Sequence, residues 1–314
     1  MDLMQERLKR NRFISEFYQV EINFRLVEIE RAYRDLSSDQ AELMRYIPIA
    51  LYATVESFFR LAIKALIDHG EPFLSNAEKV LDGNRKFDFD TLKTLSGRSV
   101  TIGDLIAAQV RLSSIESLLK AITELLGQDF KETLESTTDR WEDEVKGNPD
   151  TRIIDNIDTT INCVKETFRL RHVFCHETAG NETLTKETVD NCIKHTKQFL
   201  DASGEVIGNV RFPDHPLTQA DMTKAAADKY SQENALLARL TGQVKQVLSD
   251  DEQFALFEKA QTAWESFMDS TTNLEGTTSE GGSIQPMIKY MAAVRLIEER
   301  KQNLRYLLTL FSDY

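Results

Sequence analysis

The chain has 314 residues, more than one comfortable helical core needs and enough for two domains. Hydrophobic residues make up 41% and charged residues 28%, as in ordinary soluble globular proteins, and six prolines with thirteen glycines argue against a many-turned β architecture. A formal net charge of −13 argues against broad nonspecific binding to nucleic acid, but leaves room for a small basic cleft acting on RNA.

Residues 3 to 35 read as one long amphipathic helix, with Phe13, Phe17, Val20, Phe24, Val27 and Tyr33 recurring at helical spacing as its core face. Ser37-Ser38-Asp39 breaks it and caps a second helix that ends at His69-Gly70, with Pro48 as a kink point. Leu51, Val55, Phe58, Phe59, Ala62 and Leu66 give that helix a wide apolar face. Residues 70 to 100 are mixed, with turn signals at Gly83-Asn84 and Ser96-Gly97. A third helix opens at Thr101-Ile102-Gly103-Asp104 and runs through Leu105, Val110, Ile115, Leu118 and Ile122 to Gly127. A short helix and a polar loop ending at Gly147-Asn148-Pro149 follow. A fourth helix is expected over 152–174, and another over 186–203 that stops at Ser203-Gly204.

Pro213 and Pro216, within Arg211-Phe212-Pro213-Asp214-His215-Pro216, forbid a continuous helix and set the domain boundary. The expected organisation is all-α: a helical domain at 1–210, a stiff linker at 211–216, and a second helical domain at 217–314. Three helices are expected in the second domain, at 218–248, 250–273 and 286–311, with a flexible polar loop over 275–283. That loop lacks the Lys-Ser/Thr pair of a phosphate-binding loop. Gln261, Trp264 and Met268 share a helical face, with Phe254, Phe257 and Phe267 nearby, so Trp264 is expected to anchor this domain's core. The basic clusters Arg7, Lys9, Arg10, Arg12 and Arg295, Arg300, Lys301, Arg305 read as solvated helix faces.

No apolar stretch approaches bilayer length, and the N-terminus, charged from its second residue, has no secretory pattern, so no membrane association is expected. Cys163, Cys175 and Cys192, an odd and sparse set, point to a reducing, cytoplasmic setting.

The chemistry concentrates in Phe168-Arg169-Leu170-Arg171-His172-Val173-Phe174-Cys175-His176-Glu177, where two of five histidines lie beside two arginines. An imidazole can take a proton from a ribose 2′-hydroxyl or give one to a leaving oxygen. A guanidinium can hold the phosphate and offset charge building in the transition state. The set therefore suits metal-independent phosphodiester cleavage. In a helix His172 and His176 share a face, while Arg171 and His176 lie about 140° apart, a gap that a long Arg side chain or a second subunit would close. Other readings remain open: core or capping histidines, a His172–His176 metal site without a third ligand at a convincing interval, or Cys175 as a nucleophile.

Arg171 to His176 resembles the signature of the HEPN family (higher eukaryotes and prokaryotes nucleotide-binding), with His172 in place of the usual Asn. Leu51-Tyr52-Ala53-Thr54-Val55-Glu56 followed by Arg60 is similar to the second helix of defence-type members, and Leu125-Leu126-Gly127-Gln128-Asp129-Phe130 to the segment before their catalytic helix. The resemblance covers roughly residues 1 to 208. It implies a helical bundle that homodimerises and cleaves RNA without a metal cofactor. Arg171 and His176 then carry the chemistry with His172 beside them, and Glu56 orients or supports them, unless it is simply a solvated helix residue. Members silenced by adenylylation carry a Tyr two residues after the His; Thr178 stands there, a departure that counts against that control.

Thr218-Gln219-Ala220-Asp221-Met222, Gln261-Thr262-Ala263-Trp264, Gly281-Gly282-Ser283-Ile284-Gln285-Pro286-Met287, Glu299-Arg300 and Leu304 follow the order of the LprI lysozyme-inhibitor family, over roughly 217 to 311. That family is exported and stapled by cysteines. Here Ala226, Thr272 and Met291 fall near the expected cysteine positions, which implies a disulfide-free domain used for sensing, docking or regulation. The expected function is an RNA endonuclease effector of toxin or anti-phage type, with RNA as substrate and a protein partner or trigger at the second domain. The rival is a non-catalytic HEPN scaffold that binds a nucleotide or a protein.

Overall fold

The structure, a computed structural model, describes residues 18–37, 40–81, 100–177 and 182–312. Phe13, Phe17, the basic cluster at 7–12, Ser38-Asp39, the turn signals at Gly83-Asn84 and Ser96-Gly97, and Thr178 lie outside them. The described residues are helical, without strands, and an isolated bridge joins Thr138 to Arg152. The chain divides into two units, 1–213 and 214–314.

The first unit is built around α3 (Tyr46–His69), which follows α1 (Tyr18–Arg34) and a single turn, α2 (Ala41–Met44). More than half of α3 is buried, including Leu51, Val55, Phe58, Phe59, Ala62, Ile63, Leu66 and Ile67. A helix apolar round most of its circumference belongs inside a bundle. Burial of each such side chain contributes roughly 1.5–3 kcal/mol. Pro48 sits in the first turn of α3, where a missing N–H costs no bond, so the chain breaks at Arg45 instead of kinking. Gly70, at φ 104°, ends the helix in a conformation that other residues resist.

The expected core face of α1 is corrected. Tyr18, Ile22, Leu26 and Ile29 point inward, while Val20, Phe24 and Val27 are 49%, 68% and 57% exposed. Both sets obey helical spacing, so periodicity could not choose between them. Tertiary contacts do: the Tyr18 ring lies 5.6 Å from that of Phe58, and the Gln19 amide donates to the Gly204 carbonyl at 3.1 Å.

After α4 (Phe73–Val80), the expected helix from 101 to 127 is two: α5 (Ile102–Gln109) and α6 (Ile115–Leu126). Each opens with its own capping box, Thr101 with Asp104 and Ser114 with Ser117. Gly103 lets α5 approach α3 closely, since a Cβ there would meet the Lys64 carbonyl at 2.6 Å. Next come α7 (Phe130–Ser136) and a π-helical turn at Trp141–Val145. Then α8 (Ile157–His176) starts five residues later than expected, because Arg152 is held in the bridge and Asn156 supplies the cap. α9 (Lys186–Arg211) runs through Ser203-Gly204: the buried Ser203 hydroxyl donates to the Phe199 carbonyl and stays within the helix. α3 packs against α1, α4, α5, α6, α8 and α9.

The second unit consists of α10 (Gln219–Val247), α11 (Asp251–Gly276) and α12 (Gln285–Ser312), with α12 packed on both others. The polar stretch expected to be a loop is partly helical, ending in a 3-10 turn at Thr277–Ser279. Its core is small: Leu237, Val244, Phe257, Ile297 and Leu304, with Trp264 and Met268 against it. Trp264 is only half-buried, and Phe254 and Phe267 are exposed, because α12 packs on the face of α11 that carries Phe257, Gln261, Trp264 and Met268 and leaves positions off that face uncovered. Lys301, expected on a solvated face, is buried against Glu233, which Lys229 also grips at 2.5 Å.

The two lysines hold the Glu233 carboxyl down to about 2. A carboxylate depressed below its unfolded value stabilises the fold above that value, and the benefit disappears as pH falls through the folded one. Glu233→Gln should therefore lower the melting temperature at pH 7, and the deficit should shrink between pH 4.5 and pH 2, the window set by an unfolded pKa of about 4.3 and the depressed folded value. Trp264 fluorescence in a Trp141→Phe background reads this unit; a deficit that stays constant with pH would contradict the account.

Candidate functional site

Arg171, His172 and His176 lie on the last two turns of α8, which packs against α3 through Phe168. Arg171 Nη1 sits 3.2 Å from His176 Nε2, so one long side chain bridges the angular gap within a single chain. A second copy is not needed to join this pair. The His172 and His176 ring centres are 5.2 Å apart. Both histidines are exposed and Arg171 is half-buried, so the group stands at an open surface, where a polymer could reach it.

Arg171 is held from below. Its guanidinium lies 4.7 Å over the face of Tyr52, a contact worth about 0.5–2 kcal/mol depending on desolvation. The Tyr52 ring is buried and meets Phe168 edge-on at 4.8 Å. Burial raises the Tyr52 phenol above its usual range. The Glu56 charge adds to the rise, the Arg171 and Arg60 charges oppose it, and a hydrogen bond to Glu56 raises it further. Glu56 is also gripped by Arg60, whose Nη2 and Nε donate to it at 2.7 and 3.0 Å. Arg60 Nη1 donates to the Ala107 carbonyl at 2.6 Å, which fastens the line to α5.

Glu56 is thus no solvated residue: its side chain is 24% exposed, and it acts on Tyr52, which carries Arg171. Neither Tyr52 nor Arg60 is assigned a role by sequence reasoning. The available signal is Tyr52, Glu56 and Arg60 at i, i+4 and i+8, one polar line beside the wide apolar face of the helix.

The arginines differ in availability. Arg169 is spent on Glu166 and Glu182, at 2.8 and 2.5 Å. Among the described residues Arg171 forms no ion pair, which leaves its charge free for an anion. No group of three or more His, Cys, Asp or Glu that could hold a metal ion occurs among the described residues. The three cysteines are free; Cys175 is exposed, and burial pushes the Cys192 thiol up to about 11.

Removing Glu56 leaves the Arg60 charge partly buried without its carboxylate. Glu56→Ala should cost the first unit about 1–3 kcal/mol in urea unfolding, less than a fully buried pair because both side chains keep some solvent contact. A loss below about 0.5 kcal/mol would mean that the pair is no more than a surface contact.

No helix among the described residues is long and apolar enough to cross a membrane. Comparison with curated proteins and with solved structures gives no match. Residues 214–304, from just before α10 into α12, match the family model described as lysozyme inhibitor LprI, and the second unit is an LprI-like helical domain.

Proposed function

We propose that the first unit is a metal-independent RNA endonuclease of HEPN type, acting as a toxin or anti-phage effector. The observation that carries this reading is the 3.2 Å contact between Arg171, which forms no ion pair among the described residues, and His176 at an exposed helix end. His176 takes the proton of a ribose 2′-hydroxyl. The 2′-oxygen attacks the adjacent phosphorus, the bond from phosphorus to the 5′-oxygen breaks, and the leaving oxygen is protonated. The products are a 2′,3′-cyclic phosphate and a 5′-hydroxyl. Arg171 offsets charge on the phosphoryl oxygens as the attack proceeds. His172, whose ring centre is 5.2 Å from that of His176, is placed to supply the second proton transfer.

The family resemblance adds a homodimer through the first unit, which would put two such pairs along one strand. The LprI-like unit serves as a sensing or docking module for a protein partner. It carries no cysteine, and the chain's three cysteines are free, which supports a reducing cytoplasmic setting over the export that disulfides serve.

Purified protein incubated with total RNA in EDTA should cut it and leave cyclic phosphate ends. Arg171→Ala and His176→Ala should each lower the rate by about a hundredfold or more while leaving the helical circular dichroism intact. Light scattering at micromolar concentration should give twice the chain mass. A His176→Ala variant as fast as the parent would leave only the scaffold reading, and a strict metal requirement would replace this mechanism with a metal-dependent one.

A further inference from the structure

We propose that Tyr52 is the positioning residue for Arg171: its buried ring is the platform on which the guanidinium rests, and its hydroxyl ties that platform through Glu56 to Arg60. The inference deepens the ribonuclease reading, on which its kinetic consequence rests; the placement of Arg171 rests on geometry alone.

An arginine near the end of a helix has four flexible torsions, and left alone its guanidinium would sample a wide volume. Catalysis does not tolerate that, because a charge displaced by about 1 Å from the developing oxyanion loses much of its effect. At this site two contacts remove the freedom, and a chain of further contacts holds the first of them in place. The guanidinium stacks at 4.7 Å on the electron-rich face of Tyr52, while its Nη1 meets His176 Nε2 at 3.2 Å. The Tyr52 ring cannot turn away: it is 9% exposed and Phe168 meets it at 79°. Its hydroxyl hydrogen-bonds Glu56, which two bonds from Arg60 immobilise. Arg60 in turn is fixed to the carbonyls of Ala107 and Val110.

This line runs from the α5 backbone to Arg171 and lies on one face of α3. Arg60 and Glu56 fasten α3 to α5, and Tyr52 carries that fixed line on to Arg171. It also divides the labour, since the ring supports the guanidinium directly and the hydroxyl only steadies the ring.

The test compares the full-length parent with Tyr52→Phe and Tyr52→Leu. Two readouts are used: steady-state cleavage of an RNA oligonucleotide, and the NMR signals of the Arg171 side chain, assigned with Arg171→Lys. Phenylalanine keeps the platform and should rescue, with kcat within about threefold of the parent; leucine should lower kcat by about tenfold or more with KM within about twofold. The Arg171 side-chain protons should lie upfield, shielded by the ring, in the parent and in Tyr52→Phe, and should return to exposed-arginine positions in Tyr52→Leu. Unshielded Arg171 signals in the parent would overturn the inference with no variant needed, as would Tyr52→Leu cutting at the parent's kcat. A parent with shielded Arg171 signals that cuts no RNA would remove the ribonuclease reading while upholding the placement of Arg171 by Tyr52.

Discussion

The burial of α3 constrains everything else in the first unit. A 24-residue helix that is apolar on most of its surface has to be surrounded, and the helices around it take their places by covering it. Its polar residues must then be satisfied internally or reach the edge of the bundle. Thr54 donates to the Ala50 carbonyl at 2.8 Å. Arg60, Glu56 and Tyr52 satisfy one another, and the last of them meets Arg171 where α8 emerges from the bundle. The candidate site is in this sense an extension of the core: its guanidinium rests on an aromatic ring that the bundle already holds fixed.

The two units solve the stability problem differently. The first has a large continuous apolar core, with Phe58, Phe59, Phe130 and Phe199 packed ring against ring. The second has few large buried apolar groups and places charges among them. Glu233 lies between Lys229 and Lys301, and the half-buried Arg300 donates to Gln261 at 3.0 Å while its guanidinium lies 5.8 Å over Trp264. A small core crossed by paired charges depends on every partner staying in place, since one unpaired buried charge costs more than the pair contributes.

Much of this architecture was legible in the sequence. The three helices of the second unit lie close to their expected bounds, and the Pro213–Pro216 stretch stands out as a helix breaker. Failures came where two local rules competed. α1 carries two apolar faces, and only contacts with Phe58 and Gly204 select the inner one. The helix expected from 101 to 127 divides because Ser114-Ser117 forms a second capping box inside an apolar run. Lys301 looked solvated because its partner Glu233 lies 68 residues away in sequence. For the site, Arg171, His172 and His176 could be picked out from residue chemistry, and their helical placement from periodicity. That Arg171 reaches His176 in the same chain could not, because the bridge depends on a side-chain rotamer set by Tyr52, a residue more than a hundred positions earlier.

The central claim is that Arg171 and His176 of one chain act as a unit on one phosphate. A double-mutant cycle on cleavage of a single defined RNA tests it most directly, because groups that share one transition state lose their effect together. The account predicts that the Arg171→Ala, His176→Ala double variant is no slower than the slower single variant, within about threefold. A double variant whose loss equals the product of the two single losses would show that the residues act independently, and would contradict it.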